Sequence, residues 1–502
     1  MIRRLLIGIA VLLVLVAAAI GGLVYWLVAG DGVRIALERQ ASAWLGQPVR
    51  IGAATAQLYP RIGVQLRDVR VGEPAQVTFA DVRVSTGLRP LLSRRIEDAD
   101  VILANSRIEM PLPFELPATA ADEAAGGAGE NDPRPHYEIV SVRTIALSDV
   151  TVASRGREIA VSLSSSLSGS TLTIGSIDAA SRDTRITGKG IVQLEPATDA
   201  KLELSANRLD LDDLIALAGA FAPRRNTPGA AGTSAPAGRL DARVIADSAT
   251  AAGLTVPQFS TRVRVQGNRV SLSPTTFVLF GGRYEGDFDV NLGGSGAMTL
   301  AAKLRDIDVA QLAAFGGSPN TITGKLSGSG TFTGRGMDMA SVLSSARGNG
   351  SATIANGTIK QLNLVRTVIL FFGRPAPETA AASDAFERID ARFSLARQVI
   401  TADALSLRSR DADIVGNGTL SLDTTALDGR ADLSLSEELS AQAGRDLVRY
   451  TREGNRVVLP ASIGGTLSAP RLSIDATAAI KRGLKNEMQN RLKGLLERIT
   501  GP

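Results

Sequence analysis

Strict alternation of apolar and polar residues in short runs is the feature that most restricts the fold of this chain. In GGRYEGDFDVNL, one parity holds Tyr284, Gly286, Phe288, Val290 and Leu292, and the other holds Arg283, Glu285, Asp287, Asp289 and Asn291. Because successive side chains of a strand point to opposite faces, this segment is predicted to be a strand with one apolar and one polar face. The apolar face must be shielded from water, usually by a second sheet or a layer of helices. What shields it decides the architecture.

Similar alternation recurs from Val49 onward, in runs such as VQLRDVRV, VTFADVRV, GTLSLD and RADLSLS that are separated by Gly, Asn, Asp and Pro. This pattern predicts a mainly β chain. Three low-complexity stretches, ATAADEAAGGAGENDPRP, APRRNTPGAAGTSAPAG and RPAPETAAAS, predict loops or linkers. The pairs Asn356–Gly357 and Asn417–Gly418 favour tight hairpin turns of type I′.

Three stretches of the chain resemble one another, residues 172–219, 270–317 and 400–444. Each contains alternating strands followed by a short Leu- or Ala-rich helix that ends at glycine. Repeats of this kind stack edge to edge, which favours an elongated, curled antiparallel β-sheet whose apolar faces line a groove for acyl chains. A β-sandwich or closed barrel fits the same alternation. The candidates for lining a groove are Leu202, Leu204, Tyr284, Phe288, Val290, Leu292, Leu300, Leu420, Leu422, Leu433 and Leu435.

The run Leu5–Val28 is uncharged and apolar and is long enough to cross a membrane as a helix. Arg3 and Arg4 precede it, and Tyr25 and Trp26 lie at its far end as candidate membrane-interface residues. The positive-inside rule then predicts a single-pass anchor with a cytoplasmic N-terminus. The alternative is a cleaved signal peptide, although this run is longer than the usual apolar region of about 7–15 residues.

Two amphipathic helices are predicted beside the β-rich body. The first begins near Asp31 and ends at Gly46. The second is the C-terminal segment, which places apolar residues at helical spacing and carries six basic residues against two acidic ones. It is either an interfacial helix on anionic lipid or a helix that caps the sheet. Its candidate membrane-interface residues are Lys481, Arg482, Lys485, Arg491 and Lys493.

Composition excludes several classes of function. The chain has no cysteine, so disulfides and thiolate metal sites are excluded. Its single histidine, His136, lies in a proline-flanked loop, and the sequence shows no usable histidine-based triad. We find no metal-ligand cluster and no catalytic motif, and Asp212 and Asp213 are predicted to begin a helix. The net charge of +5 comes mostly from the C-terminal segment, and aromatic residues are only 4% of the chain, which argues against nucleic-acid binding. We therefore expect a protein that is not an enzyme and uses no cofactor or metal.

Four segments together resemble AsmA-like proteins. IALERQASAWLGQPVRIGAATAQLYPRIGVQLRDVRVGEP resembles the N-terminal module of that family, and FGGRYEGDFDVNL resembles a recurrent strand. ARGNGSATIANGTIKQLNL and VLPASIGGTLSAPRLSID resemble a later segment and the C-terminal ending. The resemblance implies an inner-membrane protein of a Gram-negative envelope, with a periplasmic β-groove related to chorein-type bridge-like lipid-transfer proteins.

The expected function is therefore phospholipid transfer that supports outer-membrane lipid homeostasis. The expected partners are phospholipid acyl chains and the inner membrane, with an envelope protein at the C-terminal end as a further candidate. The alternative is a periplasmic scaffold for outer-membrane proteins that pairs its sheet edges with client strands. The predicted organisation is an anchor (1–30), an N-terminal module (31–114), a low-complexity loop (115–135), a first β-groove segment (136–221), a linker (222–238), a second β-groove segment (239–373), a linker (374–384), a C-terminal β segment (385–475) and a basic amphipathic helix (476–502).

Overall fold

The computed structural model describes residues 30–57, 61–87, 95–110, 138–182, 184–221, 238–291, 296–336, 339–359, 385–442 and 451–475, with the single residues 90, 93, 477, 478, 481, 483 and 488. The chain divides into two compact units, unit 1 (Met1–Gly267) and unit 2 (Asn268–Pro502). The boundary falls within the predicted segment 239–373. Each unit is built around one large β-sheet.

Unit 1 contains eleven strands in one sheet, in the order β1-β2-β3-β5-β7-β8-β9-β10-β11-β12-β13. The short strands β4 and β6 form a separate parallel pair. The elements are α1 (Gly30–Leu45), β1 (Val49–Gln57), β2 (Ile62–Val71), β3 (Val77–Thr86), β4 (Arg95–Ile96), β5 (Ala99–Met110), β6 (Glu138–Ile139), β7 (Ser141–Ser154), β8 (Arg157–Ser168), β9 (Thr171–Ser181), β10 (Thr184–Gln193), β11 (Asp199–Asp210), α2 (Leu211–Phe221), β12 (Arg239–Ala251) and β13 (Leu254–Gln266).

Unit 2 contains eleven consecutive antiparallel partners, β14 to β22 followed by β24 and β25, and β23 pairs with the start of β24. The elements are β14 (Arg269–Leu279), β15 (Gly282–Asn291), β16 (Ala297–Asp308), α3 (Val309–Phe315), β17 (Lys325–Arg335), α4 (Met339–Ser345), β18 (Arg347–Thr358), β19 (Ala385–Ala396), β20 (Val399–Arg408), β21 (Ala412–Ser421), β22 (Leu427–Leu435), α5 (Glu437–Gln442), β23 (Arg452–Glu453), β24 (Arg456–Thr466) and β25 (Ala469–Ile474).

The mainly β class is confirmed, but a wholly antiparallel sheet is wrong for unit 1, because β5–β7 and β11–β12 are parallel pairs. The predicted loop 115–135 lies in the connection between β5 and β7. The predicted linker 222–238 lies, with α2, in the connection between β11 and β12. Parallel neighbours need a long crossover that returns the chain to the same end of the sheet. These two low-complexity stretches therefore belong to crossovers rather than to simple spacers.

The three similar stretches share one structural plan of three consecutive strands and a short helix. They correspond to β9-β10-β11-α2, β14-β15-β16-α3 and β20-β21-β22-α5. Helix α3 shows how the plan is built, because the Asp308 carboxylate accepts a hydrogen bond from Gln311 N at 3.1 Å and the helix stops at Gly316. Asp212 and Asp213 lie in the first turn of α2, as predicted.

Several strands bend at an Asp or Asn residue in the left-handed conformation. Asp68 in β2, Asn105 in β5 and Asp149 in β7 have φ of 51°, 48° and 54°, and the pairing places them at the same level of the sheet. Asn and Asp tolerate this conformation better than other side chains with a Cβ. At each of them the buried parity of the strand changes, as at a β-bulge, which bends the strand and increases its twist. The bends therefore form a line across the sheet of unit 1.

The prediction of hairpin turns at the two Asn–Gly pairs is wrong. Asn356 lies within β18 and Asn417 lies within β21. Asn356 has a φ of 53°, so its tolerance of the left-handed conformation produces a bend inside a strand instead of a turn.

Helix α1 lies beside the outer edge of β1. Ser42 Oγ accepts a hydrogen bond from Val49 N, and Glu38 Oε1 accepts one from Ile51 N, each at 2.8 Å. Arg34 holds Glu38 in place with a 2.9 Å ion pair. Side chains of the helix thus satisfy backbone groups that an edge strand would otherwise expose.

The predicted membrane-spanning run Leu5–Val28 lies outside the described residues, as do Tyr25, Trp26, Leu292 and most of the C-terminal segment. Within the part of the chain that the structure describes, no helix is long and apolar enough to cross a membrane. Of the C-terminal membrane-interface candidates, Lys481 is described and is exposed, whereas Arg482, Lys485, Arg491 and Lys493 are not described.

Candidate functional site: the apolar faces of the two sheets

The apolar face of unit 1 consists of rows of side chains that oppose one another from strand to strand. One row contains Leu202 and runs across all eleven strands, from Ala56 in β1 to Val263 in β13. The next row contains Leu204 and runs parallel to it. Between β2 and β9 both rows are filled mainly by valine, leucine and isoleucine, most of which are buried in one cluster. This part of unit 1 is a packed core.

Leu202 and Leu204 lie at the less buried end of this face. Their side chains bend over Gly190 and Gly188 of the neighbouring strand, so that a Cβ on either glycine would come within 2.6 Å of a leucine methyl carbon. Both leucines remain partly exposed. The structure therefore places these two predicted residues on the same face of β11, where Leu202 packs against the border of the core cluster.

On the apolar face of unit 2, four such rows cross most of the strands, and the outer two of these four are bulky. The first row consists of Leu272, Phe288, Leu300, Phe332, Gly348, Leu395, Ile400, Leu420 and Leu427. The fourth row consists of Ile307, Leu326, Ile354, Ile389, Leu407, Ile414, Leu433 and Leu459. Three predicted lining residues, Phe288, Leu300 and Leu420, share the first row, and all three are partly exposed.

The two middle rows of unit 2 are made largely of small residues. The second row consists of Thr275, Gly286, Ala302, Gly330, Gly350, Phe393, Ala402, Gly418, Gly429 and Ile463. The third row consists of Phe277, Tyr284, Leu304, Gly328, Ala352, Ala391, Leu405, Gly416, Ala431 and Ala461. Rows are about 6.7 Å apart, so the bulky rows enclose a recessed strip roughly 20 Å wide between their centres. We call this strip the recessed track.

Aromatic side chains lie flat over glycines of the recessed track. A Cβ on Gly350 would meet the ring of Phe393 at 2.8 Å, and one on Gly286 would meet the hydroxyl of Tyr284 at 2.4 Å. Tyr284 also stacks on Phe277 with ring centroids 4.3 Å apart. Burial raises the pKa of the Tyr284 phenol, and the charge of Asp287 adds to the shift. The glycines thus let rings cover the backbone without building up the floor.

The remaining predicted lining residues fall into different environments. Leu433 and Leu435 are fully buried in the cluster around the fourth row, and Val290 is also buried. Leu422 lies just past the end of β21 and is 44% exposed. The structure therefore brings Phe288, Leu300 and Leu420 together along the recessed track, whereas Leu433 and Leu435 belong to its packed side.

The opposite face of each sheet is polar and carries ion pairs between neighbouring strands. Examples are Arg185 with Asp178 and Arg262 with Asp241 in unit 1. The hydrogen bond and charge of Arg262 hold the pKa of Asp241 below its usual value. In unit 2 a cavity of about 710 Å³ opens on this polar face, and its walls include Glu285, Lys303, Ser329, Ser351 and Arg392. The lining also includes Gly286, Ala302, Gly330 and Gly350, whose backbone lies between the two faces, but the charged side chains make this cavity a poorer site for a hydrocarbon chain than the recessed track.

From the sequence, Asp213 was predicted only to begin a helix. The structure shows that it also forms a buried polar cluster. The Asp213 carboxylate is almost completely buried, pairs with Arg157 at 2.6 Å and accepts a hydrogen bond from Ser181 Oγ at 2.9 Å. These contacts fasten α2 to the turns at the ends of β8 and β9. Among the residues that the structure describes, no group of His, Cys, Asp and Glu side chains could hold a metal ion.

The family model that matches this chain is that of the AsmA family, over residues 175–405. This match supports an AsmA-like assignment for that part of the chain. The AsmA match extends from β9 into β20 and so includes Leu202, Leu204, Phe288, Leu300 and most of the recessed track. Comparison with curated proteins and with solved structures gives no match. The AsmA-like N-terminal and C-terminal segments noted in the sequence lie outside the matched range.

Proposed function

We propose that this AsmA-like protein is anchored in the inner membrane, and that its periplasmic part shields phospholipid acyl chains on apolar sheet faces and transfers phospholipid along them in support of outer-membrane lipid homeostasis. The observation that carries the proposal is the recessed track of unit 2. It offers an apolar floor, made largely of glycine and alanine, between two rows of large apolar side chains across neighbouring strands. The partly exposed first row leaves the track accessible from one side.

The mechanism that follows is passive. Each methylene moved from water to an apolar surface contributes roughly 0.8 kcal/mol, so several methylenes on the track suffice to hold a lipid. The zwitterionic or charged headgroup stays in water because the track holds no charged side chain to receive it. Direction then comes from a lipid gradient or from a protein partner.

Photocrosslinking in cells tests whether lipid occupies this face. A photoreactive residue at Phe288 or Leu300 should yield lipid adducts on the purified protein, because both side chains border the recessed track. The same residue at Asp287, on the polar face of β15, should yield none. Equal lipid adducts on both faces, or protein adducts alone, would contradict the proposal.

A variant that fills the recessed track provides a sharper test. Ala352→Leu should reduce the affinity for phospholipid about tenfold, because the added side chain takes the place of methylene contacts worth roughly 0.8 kcal/mol each. The control is Ser351→Leu, which adds the same side chain to the polar face of the same strand. Lipid bound to each purified variant is measured by mass spectrometry. Similar lipid loss in both variants would remove the track from the mechanism.

The second candidate function is a scaffold for outer-membrane proteins, and one observation favours it. Strand β25 pairs with β24, and no second strand among the described residues pairs with its other edge. An edge of this kind can accept a client strand. Side-chain crosslinks from Arg471 to outer-membrane proteins, with no lipid adducts at Leu300, would favour this function over lipid transfer.

A further inference from the structure

At one side of unit 2, the ends of strands β17 to β25 form a continuous border. At this border β17 leads through α4 to β18, β19 turns into β20, β21 turns into β22, and β24 turns into β25. Backbone hydrogen bonds link the turns to one another, from Leu422 N to Gln398 O at 2.8 Å and from Leu467 N to Thr425 O at 2.9 Å. We call this border, residues 335–336, 339–347, 396–399, 421–427 and 466–469, the turn margin.

The turn margin exposes three leucines to solvent. Leu343 on α4 is 50% exposed, Leu422 is 44% exposed and Leu467 is 43% exposed. Because neighbouring strands are about 4.8 Å apart, the turns that carry Leu422 and Leu467 are separated by roughly 10 Å. Exposed large apolar side chains need no explanation when they are scattered singly, but these three follow one hydrogen-bonded border.

The same border carries more positive than negative charge. Arg335, Arg347 and Arg397 are exposed, and each lies at a strand end of the turn margin. The described carboxylate of the margin is Asp423, which accepts hydrogen bonds from Ser421 Oγ and from Thr424 N. A second carboxylate in the sequence, Asp338, lies outside the described residues.

We propose that the turn margin of unit 2 rests on an anionic lipid bilayer, with the three leucines inserted at the level of the acyl-chain boundary and the three arginines among the headgroups. Shallow insertion of separated apolar side chains beside basic ones is the pattern of an interfacial membrane contact. A protein interface would instead need a cluster of large residues in one packed patch. This contact is separate from the binding of acyl chains on the recessed track.

The absence of cysteine from the sequence makes the test direct, since a single introduced cysteine can carry an environment-sensitive fluorophore. The full chain is reconstituted with vesicles of phosphatidylglycerol and phosphatidylethanolamine that contain a nitroxide-labelled lipid. Leu343→Cys, Leu422→Cys and Leu467→Cys should each show a blue shift and quenching by the nitroxide. Phosphatidylcholine vesicles should give weaker quenching at the same positions.

Two controls are exposed apolar residues away from the margin. Val415→Cys lies on the polar face of β21 and Phe315→Cys lies on α3, at the opposite ends of the strands, and these residues are 61% and 56% exposed. Both labels should stay unquenched. Quenching at the controls equal to that at the margin would overturn the proposal. Absence of quenching and of a blue shift at the margin labels with both kinds of vesicle would also overturn it.

A separate variant tests whether the three arginines contribute to binding of the bilayer. Replacing Arg335, Arg347 and Arg397 together by glutamine should reduce quenching at Leu422→Cys severalfold, and added salt should have the same effect on the unaltered margin. The blue shift of the margin labels should also be measured without vesicles at increasing protein concentration. A blue shift that grows with concentration would mean that a second copy covers the margin, and this would overturn the proposal. Lipid adducts at Leu300 test the recessed track separately, so failure of one proposal is distinguishable from failure of the other.

Discussion

The apolar faces of the two units share one alternation and differ in the size of their side chains. In unit 1 the rows through Leu103 and Val101 are filled by branched side chains that bury one another. In unit 2 the middle rows are largely glycine and alanine, and the row through Leu300 stays partly exposed. Alternation therefore decides which face is apolar, whereas side-chain volume decides whether that face packs into a core or leaves a track.

Aromatic rings also separate the two units. The rings of Phe332 and Phe393 in unit 2 are 6.5 Å apart and lie over glycines of the track. In unit 1 the glycines at positions 188 and 190 are covered by leucines instead. In both arrangements an apolar side chain from a neighbouring position lies close over the glycine backbone, in space that a Cβ would otherwise occupy.

The largest expected effect comes from truncating the packed rows. Leu103→Ala in unit 1 should lower the free energy of unfolding by about 3 kcal/mol, because it leaves a cavity in a close-packed cluster. Leu300→Ala in unit 2 should cost only about 1 kcal/mol, because that side chain is already partly exposed. Urea unfolding of the two full-length variants, followed by circular dichroism, compares them. Equal losses would mean that the first row of unit 2 is packed as tightly as the core of unit 1.

The alternating segments predicted the strands and the apolar parity of β15 correctly, because the period of two follows directly from strand geometry. The parallel pairs could not be predicted, since alternation carries no information on strand direction. The bends at Asp68 and Asp149 were present in the sequence as the repeated letters DV, but a single aspartate fits a turn, a helix start or a bulge equally well.

The sequence was sufficient to predict which face of each strand is apolar, but not which residues of that face line the recessed track. The pattern selected Phe288, Leu300 and Leu420 because each lies on the apolar parity of its strand. The same reasoning selected Leu433, which is fully buried, because parity alone does not distinguish a lining position from a core position. Recognising the recessed track required the register that sets Gly330 opposite Gly350.

An intermediate effect is expected from acid. Burial acts to raise the pKa of Asp100 in unit 1, but hydrogen bonding to Arg143 and Thr144 and the charges of Arg61 and Arg143 outweigh it, so the pKa lies below its ordinary value of 3.8. A lowered folded-state pKa adds stability above pH 3.8 that disappears as the pH falls through the folded value. Asp100→Asn should therefore lose less stability than the unaltered chain on acidification below pH 4.

Unit 2 supplies the control for this pH dependence. Its Asp390 also has a lowered pKa, caused first by the hydrogen bond from Arg388, but this carboxylate is far more exposed than that of Asp100. Solvent screening weakens such a pair, so Asp390→Asn should change the acid sensitivity less. Unfolding midpoints measured between pH 2 and pH 7 decide the order of the two variants, and the reverse order would contradict the difference in burial.

The smallest effect should come from the polar faces, where the two units are alike. Lys189 and Glu203 oppose each other across β10 and β11 at 3.4 Å, and both side chains are about two-thirds exposed. The pair of Arg305 and Glu285 in unit 2 has a similar exposure and a separation of 3.9 Å. A double-mutant cycle should give a coupling energy below about 0.5 kcal/mol for each pair, because water and salt screen exposed charges.

A coupling above about 1 kcal/mol in one unit only would mean that the polar faces differ in what they contribute to stability. Small and equal couplings would leave side-chain volume on the apolar faces as the main physical difference between the packed core of unit 1 and the track of unit 2.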